Sequence, residues 1–221
     1  MSSSDNLANA RQTILKATLP HVPFDGWSAK ALAAGIQDAG LDATFSTLAF
    51  QGGIEEFSDY YTGLADQRMI DALNPETLEA MSVRGRIIHV ITLRLQQCEP
   101  EREAVRALMV WLALPQNQIM GAKFFYATVD AMWRGIGDTS TDFNFYTKRA
   151  TLAAVVAAVV LFWLGDETEN FKATSDFLDR RIEDVMTIEK AKGKLRKVIK
   201  DLPDPFELLG RLREGRQDRR Q

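Results

Sequence analysis

The chain has 221 residues, 46% of them apolar, and carries 27 Lys and Arg against 30 Asp and Glu for a net charge of −3. That is material enough for a sizeable buried core. The one cysteine, Cys98, excludes an internal disulfide, and the N-terminal MSSSDNLANA lacks the basic and apolar regions of a secretory signal. The expectation is a complete cytosolic chain. Charge is unevenly spread: residues 187–221 hold 11 Lys/Arg against 6 Asp/Glu, and the preceding 186 residues hold 16 against 24. A polyanionic partner would therefore meet the C-terminal tail.

Sustained apolar alternation is almost absent, whereas 3.6-residue periodicity recurs along the chain, which predicts an all-α fold. The first helix spans Leu7–Leu19 and stops before Pro20. A turn-rich connector, His21–Trp27, leads to Ser28 as N-cap of a helix over Ala29–Ala39. Gly40 ends that helix, Asp42 starts a third one running to Phe50, and a fourth spans Ile54–Leu73. Two short helices about a Gly-containing turn have helix-turn-helix spacing. The run Trp27–Phe57 resembles the N-terminal three-helix unit of TetR-type regulators.

Its charges do not suit DNA. Between Leu7 and Phe57 only Arg11, Lys16 and Lys30 are cationic, and the would-be recognition helix ATFSTLAF has none. Duplex affinity is dominated by phosphate neutralisation, and base readout relies on Arg, Lys, Asn or Gln. The expectation is a degenerate helix-turn-helix that keeps the scaffold and has lost the reader, with DNA an unlikely partner.

Glu76–Gln97 reads as one helix closed by Pro100, with Arg84, Arg86 and Arg94 on a solvated cationic face and His89 an ordinary core residue. Ala104–Leu114 and Ile119–Ile136 are apolar almost all round, and the loop Pro115-Gln116-Asn117 joins them. Such helices are buried on several sides or line a cavity. They are either a thick core or an adaptable apolar pocket, with Leu108, Trp111, Leu112, Met120, Phe124 and Phe125 as candidate lipid contacts.

The stretch DTSTDFNFYTKR (Asp138–Arg149) follows. Ser140 or Thr141 suits an N-cap and Asp142 a first turn, which leaves Phe143, Phe145 and Tyr146 in excess of what a helix start requires. Ala150–Leu164 has fifteen residues and no charge. It rises about 22 Å, short of a ~30 Å hydrocarbon layer, and is expected to be a buried helix. With Glu169–Met186 it forms an antiparallel pair suited to a dimer interface. In the tail, Leu195, Phe206, Leu208, Leu209 and Leu212 alternate with Lys and Arg, Arg211 and Arg213 among them. Basic amphipathic segments suit a membrane surface; nucleic acid binding and docking on the body are the alternatives. The expected divisions are 1–74, 75–186 and 187–221.

VPFDGW (Val22–Trp27), LALPQN (Leu112–Asn117) and VDAMWRGIGDTSTDFNFYTKRATL (Val129–Leu152) together resemble the ninth Coq protein family of ubiquinone biosynthesis. The resemblance runs from about Thr13 to Met186 and implies a TetR-like bundle of about nine helices. It further implies a homodimeric, non-enzymatic accessory protein that binds an isoprenoid or other lipid ligand. That protein would present an intermediate from the membrane to the demethoxyubiquinone hydroxylase. The family's contact surface for that hydroxylase maps onto Met132, Asp142, Phe145 and Tyr146; the family often has Trp where this chain has Phe145, so no indole N–H is offered there. The implied location is bacterial cytoplasm, peripheral to the inner membrane.

Two other functions are open. A TetR-type ligand-responsive regulator is the first alternative. An enzyme is the second, but no Ser/His/Asp grouping, metal-ligand spacing or phosphate loop stands out, so neither a metal nor another cofactor is expected.

Overall fold

A computed structural model describes the backbone of residues 3–138 and 143–200 and the side chains of residues 6–138 and 146–188. Eleven α-helices and no strand occur among the described residues. In order they are α1 (Ser3–Thr18), α2 (Val22–Asp25), α3 (Ala29–Asp38), α4 (Ala43–Ala49), α5 (Gly53–Asp71), α6 (Pro75–Glu79), α7 (Val83–Cys98), α8 (Arg102–Leu112), α9 (Gln118–Gly135), α10 (Phe143–Leu164) and α11 (Lys172–Lys200). Nine are seven residues or longer, as periodicity led one to expect.

The N-terminal helices are set by local chemistry. Ser28 Oγ accepts the Ala31 N–H at 3.2 Å and starts α3. Asp42 accepts the Thr44 N–H at 2.8 Å and starts α4. Between them Gly40 has φ +59°, a conformation glycine adopts without Cβ strain. Helices α3 and α4 both pack on α1, and the α1–α3 approach is close because Gly35 lies against Thr18. Trp27, Phe50, Phe57 and Tyr61 then form the first half of the core, with ring centroids 5.1 Å apart for Phe50–Phe57 and for Trp27–Tyr61. Each fully buried ring contributes roughly 1.5–3 kcal/mol, and Trp27 Nε1 is satisfied by Ser58 Oγ.

Four local expectations are corrected. The connector His21–Trp27 contains one helical turn, α2, closed by Gly26 at φ +70°. The helix expected over Glu76–Gln97 is two, because Asn74 caps α6 and Ser82 Oγ captures the Gly85 N–H to start α7 afresh. The apolar run Ala150–Leu164 is not a helix of its own but the continuation of α10 from Phe143, so the 22 residues of α10 rise about 33 Å and shortness no longer argues against a membrane span. By length and composition Tyr146–Leu164 passes as a span, and 39% of that window is buried within the chain. Finally, α11 continues past Met186 to Lys200.

Contacts divide the chain into two units, Met1–Asp179 and Arg180–Gln221. Residue 74 is no break in packing, since α5 packs on α7 and α9, and α2 packs on α8. The described part of the second unit is the continuation of α11 to Lys200.

Candidate functional site

Helices α5, α7, α8, α9 and α10 enclose an apolar cavity, open on one side, of about 730 Å³ including solvent space at its mouth. Its walls follow from helical spacing. On α7, Ile91, Leu95 and Cys98 share one face; α8 contributes Val105, Leu108 and Leu112, and α9 contributes Phe124, Phe125 and Met132. Val156, Val160 and Trp163 of α10 close the far wall. A concave lining of apolar and aromatic groups suits a small hydrophobic ligand.

One charged layer interrupts the wall. Arg94 Nε donates to Asp66 Oδ1 at 3.2 Å, and Thr128 Oγ1 donates to the same carboxylate at 3.0 and 2.9 Å. Both charged side chains are mostly buried, 14% exposed for Arg94 and 12% for Asp66. Burial pushes the Asp66 carboxyl above its ordinary range, against the opposing pull of Arg94. Arg94 also donates to Cys98 Sγ, whose thiol burial pushes upward, away from the reactive thiolate. The expectation that Arg94 belongs to a solvated cationic face is therefore corrected. Its position between Ile91 and Cys98 on an apolar stripe was the signal: a charge at such spacing needs a buried partner.

Of the six candidate lipid contacts, Leu108, Leu112, Phe124 and Phe125 line this cavity. Trp111 and Met120 are not among its lining residues; both are partly buried against the core that joins the N-terminal helices to α8 and α9, a distinction that uniformly apolar sequence conceals. Tyr61, Thr128, Val156, Val160 and Trp163 are lining residues that sequence reasoning did not select.

The candidate partner residues separate. Tyr146 is 68% exposed, on the second turn of α10. Met132 is 1% exposed and belongs to the cavity wall, so its side chain is not on the surface of this chain. Asp142 lies outside the described residues, and only the backbone of Phe145 is described. The proposed caps Ser140 and Thr141 are also outside. So are Phe206, Leu208, Leu209, Arg211, Leu212 and Arg213, and the Leu195 side chain.

The start of α10 is held by a buried charge cluster. Arg149, 3% exposed, donates from Nε to Asp130 Oδ1 at 2.6 Å, with Nη1 3.5 Å from Asp138 Oδ2. Lys148 Nζ donates to Asp138 Oδ1 at 2.7 Å and lies 5.4 Å from the centroid of the Trp133 ring. Three residues before Arg149, Tyr146 is carried on the same rigid turn. Further along α10, Leu161 is 60% exposed, whereas the Phe162 ring stacks on Phe177 of α11 with centroids 4.5 Å apart.

On the helix-turn-helix, α4 presents Thr44, Thr47 and Leu48 to solvent. The neighbouring cations are engaged: Lys30 with Asp25 at 2.7 Å, and Arg11 with Glu56 beneath the Phe50 and Tyr60 rings. Among the described residues no three His, Cys, Asp or Glu side chains group as metal ligands.

Residues 119–189 match the COQ9 family model. The matched stretch includes α9 and α10, hence the cavity walls from Phe124 to Trp163 and the exposed Tyr146. The rat protein named Ubiquinone biosynthesis protein COQ9, mitochondrial, is 32% identical over 182 residues, covering 79% of this chain and 58% of the rat protein. The human protein of that name is 31% identical over 182 residues, covering 79% and 57%. The chain thus spans less than two thirds of the length of these curated relatives. In structure it is similar to a TetR transcriptional regulator from Nitrosomonas europaea ATCC 19718. The TM-score is 0.62 at 20% identity, over 78% of this chain and 95% of that one. The matched stretch is set in a TetR-like all-α fold.

Proposed function

We propose that this protein is a lipid-binding accessory protein of ubiquinone biosynthesis, holding a hydrophobic isoprenoid intermediate in the cavity between α5 and α10. The observation that carries this reading is the lining of the cavity: aliphatic, Met and aromatic side chains, with its α9 and α10 walls inside the stretch that matches the COQ9 family model. A cavity of that chemistry contributes affinity through apolar burial and tolerates chains of varied length because Met and Phe adjust.

In this reading the protein is not an enzyme. It delivers its ligand to the demethoxyubiquinone hydroxylase through the surface that begins at Tyr146 and includes Asp142 and Phe145. The exposed Leu161 on the charge-free stretch of α10 supports a homodimer built on α10 and α11. The basic amphipathic segment around Leu195–Leu212 holds the protein at the inner face of a bacterial membrane. The names of the mitochondrial relatives support placement at the site of ubiquinone synthesis.

Organic extraction of protein purified from its host, followed by mass spectrometry, tests the central claim. An isoprenoid quinone precursor or similar lipid is expected, and Val160→Trp, which fills the cavity, is expected to lower the yield at least tenfold. Absence of any lipid from the folded wild-type chain sinks the reading.

The TetR-like fold supports a second reading, a ligand-responsive regulator. The cation-free α4 weighs against it. Salt-sensitive duplex binding that ligand releases would favour it instead.

A further inference from the structure

Among the helices that wall the cavity, α8 is attached differently from the rest. Helices α5 and α10 each pack on α7 and α9, whereas α8 packs on α2 and α9 and, among the described residues, barely on α10. Val105 and Met109 of α8 and Val156, Val160 and Trp163 of α10 all line the cavity, so it runs along the seam between these two helices.

A pair of arginines closes that seam. A helix leaves its last carbonyls without intrahelical donors, and α10 ends at Leu164. Arg102 Nη2 donates to the Trp163 carbonyl at 2.6 Å and to the Asp166 carbonyl at 2.7 Å. Its guanidinium lies 5.5 Å from the Trp163 ring centroid and 5.1 Å from that of Phe171. One turn on, and so on the same face of α8, Arg106 Nη2 donates to the Leu164 carbonyl. Positive charge is favourable at a helix C-terminus, but the attachment is reversible. The Arg106 side chain is 45% exposed, and water replaces such a hydrogen bond at small net cost.

The other edge of α8 is tied more firmly. Glu101, just before its first residue, is held by both Arg68 Nη atoms of α5 at 3.3 and 3.4 Å. Ala104, Leu108 and Leu112 are buried in the cluster that holds Val22, Trp27 and Tyr61. At the far end Asn117 Nδ2 donates to the Trp111 carbonyl at 2.9 Å, and Gly121 of α9 lies against Leu112. The flanking 3-10 turns contain Pro100 and Pro115, which lack the backbone donor that would bind α8 stiffly to its neighbours.

Resting on the lipid-binding reading, we propose that α8 is a door to the cavity, hung on α5 and α9 and latched to the end of α10 by Arg102 and Arg106. Opening parts Val105 and Met109 from Val160 and Trp163 and frees the carbonyls of Trp163, Leu164 and Asp166 to water. The hung edge stays in place.

The test is stopped-flow fluorescence of the full chain, stripped of lipid, taking up nile red, an apolar dye that brightens out of water. The wild-type uptake rate is expected to level off as dye concentration rises, because opening limits entry. Arg102→Met and Arg106→Met are each expected to raise that limiting rate and the release rate about threefold to tenfold, with affinity changed less than about twofold. Gly35→Ala, which disturbs the α1–α3 packing instead, is expected to leave both rates at the wild-type value. A wild-type rate that never levels off, arginine variants at the wild-type rate, or an equal rise in Gly35→Ala overturns the door while the lipid-binding reading stands. Failure of the folded wild type to take up the dye removes both. Arg106 is largely solvent-exposed, so Arg106→Met decides the matter if Arg102→Met does not fold.

Discussion

Arg149 and Asp130 are joined by a 2.6 Å ion pair in which the guanidinium is 3% exposed, and this pair locks α10 onto α9 one turn below Tyr146. Removing one member of a buried pair leaves the other uncompensated, at about 3–5 kcal/mol. Arg149→Met is expected at the lower end, near 3 kcal/mol, because Arg134 and Lys148 still reach Asp130 and Asp138. Urea unfolding checks it, and adding Asp130→Asn should recover part of the loss. A change under about 0.5 kcal/mol would mean the cluster is solvated in solution.

Tyr146 is the complementary case, an aromatic ring 68% exposed on a helix fixed from behind. Tyr146→Ala is expected to change unfolding free energy by no more than about 0.5 kcal/mol. If the ring docks the hydroxylase, binding to that enzyme, followed by surface plasmon resonance, should weaken roughly thirtyfold or more, as for an aromatic anchor at the centre of an interface. Unchanged binding would remove Tyr146 from the contact surface.

Asp166 predicts a pH response. Its carboxylate accepts from the Thr168 and Thr174 backbone N–H groups and from both hydroxyls, at 2.6–2.8 Å. Despite the opposing cost of burial, these bonds hold its pKa well below the ordinary carboxylate range. A depressed folded-state pKa stabilises the fold above the unfolded value near 4, and that stabilisation is lost as pH falls through the folded value. Wild-type stability should therefore decline from about pH 5 downward, and Asp166→Asn should start lower and decline less steeply. Parallel acid titrations monitored by circular dichroism would contradict this.

Gly35 tests the α1–α3 packing. A Cβ there would lie 2.5 Å from Thr18 Cα and 2.7 Å from Thr18 Cβ, contacts that backbone cannot yield cheaply. Gly35→Ala gains helix propensity, about 1 kcal/mol, but overpacking of this kind costs typically 1–3 kcal/mol or more. Net destabilisation is expected in thermal or urea unfolding; a more stable variant would show that α1 can shift.

Local signals were legible where one residue decides the outcome. Ser28 and Asp42 cap the helices they were expected to cap, and Gly40 takes the left-handed turn between them. Ser82 was missed because the apolar spacing of Leu78, Met81 and Val83 continues through it, and periodicity does not register a hydroxyl capturing an N–H. Arg94 was misread because charge alone suggests solvent; its partner Asp66 lies 28 residues away. Trp111 and Leu112 are neighbours of similar hydrophobicity, yet only Leu112 reaches the cavity.

The sequence by itself determined the all-α class, most helix positions, the helix-turn-helix without cations and the resemblance to the COQ9 family, since these depend on short-range periodicity, capping and residue type. Only the tertiary structure decided which apolar residues face a cavity rather than a core, that Met132 is wall and Tyr146 surface, and that Arg94 finds Asp66 within the wall. The reason is geometric. A helix apolar on every side carries no preferred face in its sequence, and the faces are assigned only when five such helices pack around one another.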